Sequence, residues 1–261
     1  RALRDLLVER AEGNPLFMEE LVKMLMEDRG ITVESGDAWR VEASRLNHLR
    51  VPPTLTGLLQ ARLDTLLIPE RQVLQRAAVI GRVFSDVAVQ ALAGAEDPPG
   101  EVRDLERVME RLVARGFIHP RESSSFEGGH DFIFAHNMMR DLILDSLLRG
   151  RRRRYHGVLA DWLASTRRAD EEPAVIAEHY ARAARPTAAA LFFHRAGDRA
   201  RDLSALAAAR GFYLRSLELV TTSPPTTPPS DVPRAHGATD PEAGGCEPAI
   251  LLGLGEVERM L

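Results

Sequence analysis

Most of this chain carries apolar residues at spacings of three and four, the pattern of an α-helix with one buried face. Glycines and prolines separate one periodic segment from the next. The clearest segment follows Pro52-Pro53, where the recurring residues are Leu55, Leu58, Leu59, Leu63, Leu66 and Leu67. With 44% hydrophobic and 28% charged residues, the chain can bury cores of its own. The sequence therefore predicts a mainly α protein of two or three small domains.

Breaks in the helical period divide the chain into consecutive units. Strand-like segments interrupt the helices twice, first as a short hairpin and later as the two-stranded wing expected of a winged-helix domain. Alanines and larger residues then alternate as in tetratricopeptide repeats, which stack into an α-solenoid. The predicted units are a helical unit with a small β-hairpin (1–67), a winged-helix domain (68–150), helices of tetratricopeptide type (151–220), a linker rich in Pro, Thr and Gly (221–248) and the start of a further helix (249–261).

The segment Gly13-Asn14-Pro15 is the first candidate for ligand contact. Asn14 is a good helix N-cap, and Pro15 suits the first helical position because its missing N–H costs nothing there. A helix that begins here presents unpaired amides and the positive end of its dipole, which suit a polar or anionic ligand. Capping alone also explains the pair, so both interpretations stay open.

A winged-helix domain raises the possibility of DNA binding. Its third helix mixes both signs of charge: Glu101, Asp104, Glu106 and Glu110 with Arg103, Arg107 and Arg111. A recognition helix needs an excess of basic and polar side chains, so this helix disfavours DNA, as does the net charge of −4. The concentrated basic feature is the run Arg151, Arg152, Arg153 and Arg154. It suits phosphates, lipids or an acidic partner, or it is a solvated or interdomain helix face.

The sequence lacks the motifs of an enzyme. No Gly-x-x-x-x-Gly-Lys-Ser/Thr loop occurs, and Lys23 is the single lysine. Cys246 is the single cysteine, which excludes a zinc site made of cysteines and fits a reducing cytoplasm. Histidine spacing predicts no metal site, and no apolar run approaches the roughly 20 residues that span a bilayer. We expect neither catalysis by this chain nor a membrane partner.

An ordered series of segments along residues 1–220 carries a family resemblance. The segments are Gly13-Asn14-Pro15-Leu16-Phe17 with Glu19-Glu20, Val51-Pro52-Pro53-Thr54-Leu55, Leu63-Asp64, Ala77-Ala78-Val79-Ile80-Gly81 with Phe84, and Phe132-Ile133-Phe134-Ala135-His136 with Arg140-Asp141. Their order resembles the signal-transduction ATPases with numerous domains (STAND), most closely those of bacterial adenylate or guanylate cyclase-like and transcriptional regulators. The resemblance implies that residues 1–67 are the helical lid that follows a nucleotide-binding core.

The resemblance also implies site residues. Gly13, Asn14 and Pro15 would contact the nucleotide of the core, with Gly13 and Pro15 on the adenine side. Related apoptotic and plant-immunity proteins place a winged-helix histidine against the phosphate of ADP, a role that His136 would take here. An imidazole can donate to a phosphate oxygen. The alternative for His136 is packing at a strand-to-helix junction.

The resulting functional expectation is a cytoplasmic regulatory module that couples the nucleotide state of an ATPase core upstream in the same chain to a protein partner on the helical repeats. The cofactor would be ATP or ADP with Mg²⁺ in the parent protein, and this chain alone would bind none. The alternatives are a winged-helix DNA-binding transcriptional regulator and an interaction scaffold with no nucleotide role.

Overall fold

A computed structural model describes residues 2–33, 39–42, 51–94, 104–222 and 246–260. The helices are α1 (Ala2–Ala11), α2 (Pro15–Glu27), α3 (Leu55–Asp64), α4 (Ile68–Ile80), α5 (Asp86–Gly94), α6 (Leu105–Ala114), α7 (Asn137–Asp145), α8 (Arg149–Ala164), α9 (Arg168–Glu171), α10 (Pro173–Arg182), α11 (Pro186–Asp202), α12 (Leu206–Thr222) and α13 (Cys246–Met260). The strands are β1 (Ile31–Val33), β2 (Trp39–Val41), β3 (Val83–Ser85), β4 (Ile118–Pro120) and β5 (Asp131–Phe134). The predicted mainly α fold is confirmed.

The chain packs into two compact units. Unit 1 contains residues 1–90 and 101–146, and unit 2 contains residues 91–100 and 147–261. Unit 1 therefore holds both the predicted lid and most of the predicted winged-helix domain. Among the described helices of either unit, none combines the length and apolar character needed to cross a bilayer.

The first half of unit 1 is organised around α2. The side-chain oxygen of Asn14 accepts hydrogen bonds from the amides of Leu16 and Phe17, at 3.1 and 3.2 Å, so the predicted N-cap is confirmed. One face of α2 packs into a core shared with α1, β1 and α3, whose buried members are Ala11, Phe17, Leu21, Met24, Leu25, Ile31 and Leu58. Strands β1 and β2 pair antiparallel, as the hairpin prediction required. The predicted turn Ser35-Gly36-Asp37 lies outside the described residues.

The second half of unit 1 contains a three-stranded antiparallel sheet in the order β3-β5-β4. The sequence predicted the hairpin of β4 and β5 but not β3, which pairs through Phe84 opposite Phe132. The two rings stack with centroids 5.9 Å apart, and this contact between distant segments stabilises a strand that is only three residues long. Ser85 ends β3 and still caps the next helix, because its hydroxyl accepts from the amide of Val87 at 3.1 Å. Gly116 adopts the predicted left-handed conformation after α6, with φ +68°.

Unit 2 is helical, and its successive helices α10, α11, α12 and α13 pack on one another. Tyr213 of α12 shows why small residues recur in this region. A Cβ atom at Gly197 would lie 2.5 Å from the Tyr213 ring, and one at Gly253 would lie 2.7 Å from it. The last helix begins at Cys246, three residues before the predicted start at 249. Residues 223–245, most of the predicted linker, lie outside the described part of the chain.

Candidate functional site

The N-terminus of α2 carries the predicted nucleotide contacts on an exposed surface. Gly13, Asn14 and Pro15 are all exposed, and Gly13 has a φ of +80° that favours glycine. The amides of Leu16 and Phe17 are already satisfied by Asn14, so they are not free to bind an anion. What remains exposed is the apolar surface of Gly13 and Pro15. That surface suits the flat face of a base better than a phosphate.

A buried ion pair lies farther along the same helix. Glu20 of α2 and Arg62 of α3 are both fully buried, and Arg62 Nη1 donates to Glu20 Oε2. Arg62 Nη2 donates to Glu27 Oε1 at 2.9 Å and to the carbonyl oxygen of Arg115 at 2.6 Å. The guanidinium carbon of Arg62 lies 4.7 Å from the ring centroid of Phe117. One arginine therefore links α2 and α3 to the segment between α6 and β4.

The ion pair belongs to a larger network. Arg115 Nη2 lies 3.2 Å from Glu27 Oε2, and Arg115 Nη1 lies 3.2 Å from Glu70 Oε2. Glu70, which is 2% exposed, also pairs with Arg111 Nε at 3.0 Å. We call this set the interhelical ion network; its members are Glu20, Glu27, Arg62, Glu70, Arg111 and Arg115. It connects α2, α3, α4 and α6, and the loss of one member of such a buried pair would leave an uncompensated charge between these helices.

His136 lies at the junction of β5 and α7 and faces α2. Its Nε2 atom is 3.3 Å from Glu20 Oε1 and 3.9 Å from Glu19 Oε1. The angles do not make a hydrogen bond, and Nε2 has no such partner among the described residues. Lys23 Nζ pairs with both carboxylates, at 2.6 Å from Glu19 and 2.9 Å from Glu20. The hydrogen bond from Lys23 lowers the pKa of Glu19, and His136 adds to that effect.

Glu19, Glu20 and His136 also form the geometry of a possible cation site. One ligand atom from each lies within 4.8 Å of the others. A divalent cation would have to compete with Lys23 and with buried Arg62 for the same carboxylate oxygens. The charge of this group is thus already balanced by side chains, so the cluster does not favour a metal. The sequence spacing, which predicted no metal site, did not reveal this cluster either.

Two of the predicted sites adjoin α2, one at its N-terminus and one near its middle. Asn14 and Glu20, which faces His136, are six residues apart on α2, or about 9 Å along the helix axis. The basic run lies in unit 2, in the first turns of α8. Arg151, Arg153 and Arg154 are exposed, and Arg152 is half-buried.

Sequence reasoning missed the interhelical ion network. The available signal was position, because Arg62 occupies the same helix face as Leu58 and Leu59, and Glu20 lies one turn after Phe17. A charged residue on an apolar face is rarely buried unless it is paired. The partner across 42 residues of sequence could not be identified from that signal.

The comparisons with known proteins bear on the N-terminal part alone. Residues 1–39 match a family described as a domain of unknown function, DUF8739. The matched segment includes Gly13-Asn14-Pro15 and α2 up to β2. Neither the curated proteins nor the solved structures contain a significant match to this chain.

Proposed function

We propose that this chain is the regulatory part of a multidomain signal-transduction ATPase, in which it couples the nucleotide state of an upstream core to protein signalling. The observation that carries the proposal is the dual role of α2. Its N-terminus bears Gly13 and Pro15, and its next turns bear Glu20, the buried anchor of the interhelical ion network. A helix held at one end by such a network is a rigid element through which a contact at the other end can be transmitted.

The proposed mechanism is a shift between two conformations. ADP bound to the upstream core contacts Gly13 and Pro15 and favours a closed form, whereas a protein partner on the helices of unit 2 favours an open form. Each ligand shifts the equilibrium only by its difference in affinity for the two forms. The chemistry of ATP or ADP with Mg²⁺ belongs to the core, and this chain supplies contacts and no catalysis. Because that chemistry needs cellular ATP, we place the protein in the cytoplasm.

In this proposal His136 contacts the phosphate of ADP. Its Nε2 atom is buried beside Glu20 and has no hydrogen-bond partner among the described residues. In the proposed closed form this atom becomes exposed and donates to a phosphate oxygen. The nearby Glu19 and Glu20 carboxylates would repel a phosphate if they stood alone. Lys23 and Arg62 offset their charge, which supports the approach of an anion to this side of α2.

The test uses the complete protein, including the core upstream of this chain. Pro15→Ala and His136→Ala are expected to lower the amount of ADP that copurifies with the protein and to accelerate its release. Pro186→Ala is the matched control, because Pro186 also occupies the first position of a helix, in unit 2. Unchanged ADP retention in both variants would overturn the proposal and leave a nucleotide-independent scaffold. DNA binding is not favoured, because α6 exposes the carboxylates of Glu106 and Glu110.

A further inference from the structure

A groove runs along α6 on the winged-helix side of unit 1. It lies between α6 and the strands β4 and β5, and its volume is about 560 Å³. Leu105, Met109 and Val113 follow one another every fourth residue and form one wall, and Phe132 of β5 contributes to the other. The three α6 positions span about 12 Å, or a little over two helical turns. The groove is therefore long enough for two successive turns of a docked helix.

The groove is apolar along its length and acidic at its edge. Glu106 and Glu110 are exposed, line the groove and have no ion-pair partner among the described residues. Asp86 lies on the opposite side, where its carboxylate accepts from the backbone amide of His130 at 2.9 Å and lies 3.2 Å from His130 Nδ1. Among the described residues, the groove lining thus carries three carboxylates and one histidine, and no lysine or arginine.

The arginines of α6 are directed elsewhere. Arg111 pairs with buried Glu70 at 3.0 Å, and Arg107 lies 3.7 Å from Asp104. Charges that alternate along the sequence are therefore separated in space, with the carboxylates at the groove. An acidic surface repels the phosphates of DNA and attracts basic partners.

We propose that this groove binds a basic amphipathic helix of a partner protein. Apolar side chains of that helix would pack on Leu105, Met109 and Val113, and its arginines or lysines would pair with Glu106 and Glu110. Recognition of an amphipathic helix by an apolar groove is a common mode of binding, and methionine adapts well to such ligands. The inference does not depend on the nucleotide role proposed above, because it uses a different surface of unit 1.

The test measures the affinity of the full 261-residue chain for a labelled peptide by fluorescence anisotropy. The probe is a helix of about 15 residues built from leucine, alanine and arginine, and the control peptide carries glutamate in place of arginine. We expect Glu106→Gln with Glu110→Gln to weaken binding of the arginine peptide by about tenfold. Leu105→Gln is expected to weaken it by a similar factor because it removes an apolar contact.

The matched control is Glu9→Gln with Glu12→Gln, which removes two exposed charges from the same unit away from the groove. This variant is expected to bind within about twofold of the wild type. Failure of the wild-type chain to bind the arginine peptide would overturn the proposal. So would full affinity in either groove variant, or an equal loss in the control.

Discussion

Replacing Arg62 with methionine tests the interhelical ion network most severely. Methionine fills much of the same volume but leaves the buried carboxylate of Glu20 without its main partner. Removing one member of a buried ion pair costs about 3–5 kcal/mol of folding free energy. Here Glu20 keeps Lys23 at 2.9 Å, and Glu27 keeps Arg115 at 3.2 Å. We therefore expect a loss near the lower limit, about 3 kcal/mol.

The assay is urea unfolding followed by the fluorescence of Trp39 in a Trp162→Phe background. Trp39 lies in unit 1 and Trp162 in unit 2, and the chain contains no other tryptophan. With a urea dependence of about 2 kcal/mol per molar, the midpoint of unit 1 should fall by about 1.5 M. Arg62→Lys keeps a positive charge and should lose less folding free energy than Arg62→Met.

A double variant measures the interaction energy between Arg62 and Glu20 apart from their contacts with other residues. Adding Glu20→Gln to Arg62→Met removes the unpaired charge, so the combined loss should be smaller than the sum of the two single losses by about 2 kcal/mol. A loss below about 1 kcal/mol for Arg62→Met, or strictly additive losses, would refute the reasoning that this pair is buried and coupled.

Two further predictions concern unit 2. Burial, together with the charge and hydrogen bond of Asp161, raises the pKa of Tyr180. The folded form therefore holds this proton more tightly than the unfolded chain, so the contribution of Tyr180 to stability is constant below about pH 10 and falls as the pH rises further. Thermal melts from about pH 8 to about pH 11 should show a smaller loss of stability with pH for Tyr180→Phe than for the wild type. Gly197→Ala should destabilise unit 2 by about 1–3 kcal/mol because its Cβ meets the Tyr213 ring, whereas Gly211→Ala, with no atom within 4 Å of the added Cβ, should stabilise it in the same melts.

Local rules predicted those elements whose signals are contained in a few neighbouring residues. The cap at Asn14 and the left-handed Gly116 both follow from backbone chemistry within one helical turn. Strand β3 was not predicted because it pairs with β5, whose residues lie nearly 50 positions away in the sequence. The local sequence pattern does not identify such a distant partner.

The candidate sites were only partly predictable for the same reason. The sequence indicated the segment from Gly13 to Pro15 and the strand-to-helix position of His136, but it gave no sign that α2 joins them. The sequence also predicted a helix α6 whose acidic and basic residues are mixed on one surface. Periodicity alone does not show that Arg111 pairs with the buried carboxylate of Glu70. Pairing of charges across helices is decided by tertiary packing.

The central claim is that α2 transmits nucleotide contact to the interhelical ion network, and the rate of ADP release from the complete protein tests it most directly. Glu27 is twelve residues beyond Pro15, about 18 Å along the helix, so it cannot touch a nucleotide bound at Pro15. If α2 acts as proposed, Glu27→Gln releases ADP several-fold faster than the wild type. Identical release rates would contradict the account.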